Sequence, residues 1–261
     1  MGIVFAVRGD DINARYSNAG KNAVTYRNNA SAPEAAVASS SDTGVIGGSV
    51  IEAANTSYQV GFRYPGYGNF STTGAFSILV RHIPQYSGTP AQQMGLMNLI
   101  GPYNTGFLQF DHLTNGNLFT RYAGEHSLNH FNTAMGSYSP TSGTANDVVL
   151  TWTGDTTSNG LKMYVDNSLN NETTALQTNN VTRSYWPSMI FGAALPAAQF
   201  GNSNFNEIVI WDEVIDPSSV TLTSGSGALN GSSRTAFVDV SSFDGTAGGG
   251  ASYLSTGGIT F

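Results

Sequence analysis

Val148-Val149-Leu150-Thr151-Trp152-Thr153, a polar run from Gly154 to Gly160, then Leu161-Lys162-Met163-Tyr164-Val165-Asp166-Asn167: this stretch decides how the chain is read. Leu161, Met163 and Val165 recur at every second position with Lys162, Tyr164 and Asp166 between them, the repeat of a strand with one buried face. Val148, Leu150 and Trp152 alternate in the same way. Two such strands joined by a polar loop predict a hairpin with one oily and one wet face. Asp166-Asn167 tolerates left-handed backbone and is read as a tight turn.

The same logic extends outward. Gly106-Phe107-Leu108-Gln109-Phe110 and Leu118-Phe119-Thr120-Arg121-Tyr122 flank Thr114-Asn115-Gly116-Asn117, an Asn-Gly turn between alternating runs and hence a second hairpin. No window of a dozen residues carries helical spacing; only Pro33 to Ala38 and Pro217 to Val220 read as short helical turns, the latter with Asp216 as its cap. With 31 glycines, 11% aromatic and 10% charged residues, the composition suits many short strands joined by Gly, Ser, Asn and Thr turns. The expected fold is all-β, a two-sheet antiparallel jelly-roll sandwich with short helical turns and extended terminal arms.

In order, the segments resemble a laminin G-like or concanavalin A-like jelly roll. Gly47-Gly48-Ser49-Val50-Ile51 resembles its early glycine-marked strand, and Phe76-Ser77-Ile78-Leu79-Val80-Arg81 its outgoing strand. Ile190-Phe191-Gly192 resembles the strand before the last loop. Phe205 to Asp212, followed by Asp216-Pro217, resembles the closing strand and the short helix after it. The resemblance covers roughly residues 13 to 222. The expected organisation is an amino-terminal arm over residues 1–12, the jelly roll over 13–224, and a Gly/Ser-rich carboxy-terminal arm over 225–261. That last segment is expected to dock on its own domain or on a neighbouring subunit.

Charge and cysteine content narrow the function classes. The net charge is -7, the lysines are Lys21 and Lys162 alone, and the eight arginines are scattered. A nucleic-acid surface needs clustered cations, so nucleic acid is not an expected partner. An anionic membrane is disfavoured for the same reason, and no run approaches the ~20 apolar residues that span a bilayer. There are no cysteines, which removes disulfides and thiolate metal sites together. Met1 to Arg8 has no basic start before its short apolar run, so a secretory signal is not expected. These features together fit a virion protein made in a host cytoplasm and released by lysis.

Spacing bears on several chemical sites. Glucanases of this architecture place two carboxylates on one strand face as nucleophile and acid. In Glu207-Ile208-Val209-Ile210-Trp211-Asp212-Glu213, Glu207 shares its face with Val209 and Trp211 while Asp212 falls opposite. The spacing fails, and Glu207 is expected to be a rim residue. His126 and His130 stand four apart but in a loop context, which does not secure a zinc geometry. Asp155, Asp166, Asp212 and Asp216 supply oxygens of the kind calcium takes, without a dense acidic run. No metal or cofactor is therefore expected. Neither a phosphate-binding Gly-Lys-Ser/Thr loop nor a Gly-x-Ser-x-Gly elbow occurs.

A pyranose has an apolar face and a ring of hydroxyls, so a sugar site needs exposed aromatics among Asn, Asp and Gly. Phe62 to Phe70 and Arg183 to Pro187 are such stretches. Tyr64, Tyr67, Tyr185 and Trp186 are the expected contact residues for a glycan or a protein. The expectation is a non-enzymatic surface protein of a phage virion, a capsid decoration protein or a tail or fibre component. It would act as a homo-oligomer with copies of itself, other virion proteins and a cell-surface glycan as partners. The alternatives are a stand-alone carbohydrate-binding lectin module and a glycan hydrolase of the same sandwich.

Overall fold

The computed structural model describes residues 3–8, 24–27, 60–65, 75–100, 106–123, 131–153, 160–172, 188–191, 193–194, 199–200 and 203–220. They form two antiparallel sheets. The first runs β1 (Ile3–Arg8), β15 (Ser203–Trp211), β4 (Phe76–Pro84), β9 (Asn146–Trp152), β10 (Leu161–Val165), β11 (Ser168–Glu172) in spatial order. The second runs β2 (Val24–Arg27), β3 (Val60–Pro65), β12 (Ser188–Phe191), β5 (Met94–Ile100), β6 (Gly106–His112), β7 (Asn117–Ala123), β8 (Phe131–Ser137). Two-residue strands β13 (Ala193–Ala194) and β14 (Gln199–Phe200) pair with each other. The expected all-β sandwich is what the chain adopts, and the jelly-roll kind of fold with it.

Register places the core. Trp152 stands opposite Phe76 and Leu161, Leu150 opposite Ile78 and Met163, and Val148 opposite Val80 and Val165. All but Val165 are buried. On the second sheet Leu108, Phe110, Leu118 and Met97 are buried to match. A fully buried side chain of this size is worth about 1.5–3 kcal/mol in transfer from water, so these cross-strand rows hold the layers together.

The wet face expected for the first hairpin exists on β10 only, where Lys162 and Tyr164 are half-exposed. On β9, Asp147, Val149 and Thr151 are as buried as the core-facing residues. β4 is buried along its whole length, so the middle of the first sheet has no solvent side. After β15 the chain turns back across that outer side: the Ser77 hydroxyl donates to the Glu213 carbonyl and accepts from the Ile215 amide.

The turns follow their residues. Asp166 and Asn167 have φ of 47° and 68° between the paired Val165 and Ser168, the two-residue turn that matches strand twist. Asn115-Gly116 closes its hairpin differently. Gly116 alone takes positive φ, at 82°, its amide donates to Leu113 and the Leu113 amide donates to Asn117, which is the three-residue turn with a glycine bulge. Beyond β15, Asp216 caps a single 3-10 turn, Pro217–Ser219, through the Ser218 amide. Residues 3–8 pair with Glu207–Trp211 as an edge strand. Pro33 to Ala38, Gly47 to Ile51 and residues 225–261 lie outside the described residues.

Candidate functional site

Three places deserve comparison: the end of the β3–β12 pair, a buried ionic cluster, and a buried network of histidines and tyrosines. At the first, Pro65 is the register partner of Ser188 and Tyr64 that of Met189. Met189 in turn faces Leu99 on β5, and Leu99 faces Leu108 on β6, so Tyr64 occupies that backbone row. Tyr67, Tyr185 and Trp186 lie outside the described residues. Connectivity still roots them: Tyr67 follows Pro65 by two residues and Trp186 precedes Ser188 by two.

The ionic cluster sits on the outer side of the first sheet. The Arg81 guanidinium holds Asp147 through two bonds, Nε to Oδ1 at 2.5 Å and Nη2 to Oδ2 at 3.0 Å. It also reaches the Glu207 carboxylate at 3.4 Å. All three side chains are buried, so Glu207 is an interior residue and not the rim residue expected. Arg81 is held above its ordinary pKa: burial disfavours its charge, but the Asp147 bond and the charges of Asp147, Glu207 and Asp166 outweigh that. Burial pushes the Asp147 carboxyl up and Arg81 pulls it back. The bulge between Phe205 and Glu207 sets Glu207 opposite Arg81.

The third place lies between the sheets, at the β4 end away from Trp152. His82 bonds Ser203 Oγ through Nδ1 at 3.1 Å and the Tyr138 hydroxyl through Nε2 at 3.0 Å. Tyr138 donates to Asn146 Oδ1 at 2.9 Å, and Asn146 Nδ2 donates to the Asp166 carboxylate at 3.0 Å. His112 Nδ1 bonds the Tyr86 hydroxyl at 2.9 Å, and its ring meets Tyr138 edge-on at 4.9 Å between centroids. Burial lowers the His82 pKa to about 3, helped by the charge of His112. Burial lowers that of His112 to about 4, against backbone groups of Gly116 and Tyr138. The tyrosine hydroxyls of 86 and 138 are both raised, by burial first. Nothing in the periodicity marks this cluster, because His82 falls in the apolar row of Ile78 and Val80.

The other acids serve local structure. Asp111 is buried and accepts from the side-chain amides of Gln93 and Gln109. Asp166 takes the Asp147 amide besides Asn146, and Asp216 takes the Ser218 amide and hydroxyl. Asp155 and the pair His126 and His130 lie outside the described residues. Among the described residues no group of three or more His, Cys, Asp or Glu stands close enough to hold a metal ion. No helix among them is long and apolar enough to cross a membrane.

No protein-family model matches the sequence, and no curated protein does. Among solved structures the chain is similar to the HCR/D W1238A mutant, at 11% identity and a TM-score of 0.50 over 81% of this chain and 49% of that one. It is similar to Trypanosoma rangeli sialidase in complex with 2,3-difluorosialic acid, at 14% identity and 0.44 over 77% and 30%. It is similar also to the Ruminococcus gnavus IT-sialidase CBM40 bound to α2,3-sialyllactose, at 12% and 0.42 over 58% and 88%. The chain spans 24 to 32% of the length of the Trypanosoma rangeli sialidase chains it matches. What it shares with the HCR/D mutant is the fold alone.

Proposed function

We propose that the protein is a non-enzymatic recognition and assembly module: a surface protein of a phage virion, serving as a capsid decoration protein or as a tail or fibre component. It is made in the host cytoplasm, leaves by lysis, and has copies of itself and other virion proteins as partners. The observation that supports the recognition half is the pairing of Pro65 with Ser188, residues next in sequence to the stretches that hold Tyr64, Tyr67, Tyr185 and Trp186. Aromatic faces brought together there would suit a sugar ring or a protein patch. The use of buried charge supports a non-catalytic role, since Asp147 and Glu207 both lie against Arg81. Repetition of a weak contact by symmetry raises effective affinity about 100- to 10,000-fold, which is how such a module would work on a particle. The virion assignment rests on the absence of cysteine and on the Gly/Ser-rich residues 225–261 as an assembly arm.

Light scattering on the full chain and on a version truncated after Gly225 tests assembly. A multimer that falls to monomer on truncation is the expected result. A monomer in both cases removes self-assembly through the arm and leaves a stand-alone lectin as the reading. Glycan-array binding by the full chain, compared with Tyr67→Ala and Trp186→Ala, tests recognition. Binding lost in both variants with the circular dichroism unchanged is expected; binding that survives both places the contact elsewhere.

A further inference from the structure

The hydrogen bonds around His82 run in one direction. Asn146 Nδ2 donates to the Asp166 carboxylate, so its Oδ1 must accept, and the single proton of the Tyr138 hydroxyl goes there. Tyr138 then has only lone pairs left for His82, which fixes the proton on Nε2. Nδ1 is thereby the acceptor and Ser203 the donor. Ser203, His82, Tyr138, Asn146 and Asp166 form a chain of donors ending at an exposed carboxylate, with the imidazole neutral. It joins the start of β15, β4, the segment after β8, β9 and the β10–β11 turn. His112, on β6 of the second sheet, closes on the same Tyr138 from the other side and bonds Tyr86.

We propose that this cluster is an acid-released latch between the two sheets: closed while His82 and His112 are neutral, opened at this end of the sandwich when both take up protons. Two imidazolium rings would then flank one tyrosine in a buried site. Among the described residues the groups facing them are the hydroxyls of Tyr86, Tyr138 and Ser203, the amide of Asn146 and, at His112, backbone groups of Gly116 and Tyr138, which offset only part of the cost of burial. The Asp166 carboxylate is reached only through Asn146. Arg81, Asp147 and Glu207 alternate to the opposite face of the first sheet, and Asp111 to the opposite face of the second, so these charged groups, among the described residues, lie away from both rings. The depressed pKa values of about 3 and about 4 put the release well below neutrality. It rests on geometry separate from the aromatic end at β3–β12 and stands whether or not that end binds a glycan.

Hydrogen exchange on the full-length protein at pH 7 and pH 4.5, corrected for intrinsic rates, reads the latch directly. The expected result is reversible loss of protection over residues 82–86, 138–146 and 203–205, with residues 76–80, 148–152 and 161–163 still protected. Loss spread evenly over the sandwich, or none, overturns it. His82→Gln and His112→Gln each remove one proton from the transition and move its midpoint to lower pH; an unchanged midpoint in both also overturns it. Should either variant fail to fold at pH 7, proton uptake by the wild-type chain decides. About two protons bound across the transition supports the latch, and none bound refutes it.

Discussion

At the scale of single residues, Arg81 is the most exacting. Its guanidinium lies against both Asp147 and Glu207, and Arg81→Met would leave two carboxylates buried without it. Breaking a buried pair from one side costs about 3–5 kcal/mol, which urea unfolding would register. Replacing all three side chains by apolar ones is expected to recover most of that loss, because the pair itself contributes little net stability once desolvation is counted. Gly136 is constrained by space instead. A Cβ there would lie 2.1 Å from the Asn170 Oδ1 and 2.9 Å from its carbonyl oxygen, where Asn170 also bonds the Ser137 carbonyl. Gly136→Ala is expected to destabilise by about 1–3 kcal/mol, and Asn170→Ala in that background to restore only part, since the carbonyl remains.

At the scale of elements, the β10–β11 turn ties backbone to network, because Asp166 with its φ of 47° is both a turn residue and the terminus of the His82 chain. Asn167→Gly keeps the left-handed backbone and is expected to leave the melting temperature equal or slightly higher. Asn167→Ile puts a β-branched side chain at positive φ and costs about 1–3 kcal/mol. This hairpin was legible from Leu161, Met163, Val165 and the Asp-Asn pair because those residues repeat locally at period two. The second face of β9 was not legible. Asp147 and Thr151 look solvent-facing by type, but Asp147 is held by Arg81, from a strand 66 positions away, and Thr151 stands opposite Ser77, which bonds the returning segment at Glu213 and Ile215. Nor was the His82 cluster, since an isolated polar residue in an apolar row carries no sign of partners at 112, 138 and 203. Tyr64 was placed by its Gly-Pro context; register sets it in a row with Met189, information that pairing alone supplies.

At the scale of the whole molecule, the two buried histidines make stability depend on pH. Both are lowered in the folded state, to about 3 and about 4 from 6.5. The unfolded chain therefore binds protons that the folded chain refuses, and their contribution is fully present above pH 6.5 and lost as the pH falls toward those lower values. Each histidine gives a slope of about 1.4 kcal/mol per pH unit in that window. The unfolding free energy is expected to fall between pH 6 and 4.5 at up to about twice that slope in the native chain and at about half as much in His82→Gln. A flat profile would mean that neither ring is held neutral.

The position of β15 has a consequence for how the chain is born. It lies between β1 and β4 in the first sheet, so Trp211 must arrive before Ile3 has a partner. At about 5–20 residues per second of synthesis, β1 waits roughly ten seconds or more for β15, while β4 has β9 on one side only. Pairings this distant in sequence are the slow kind. A growing chain that stalls between residues 84 and 203 therefore leaves β1 and the β15-facing edge of β4 both open at once.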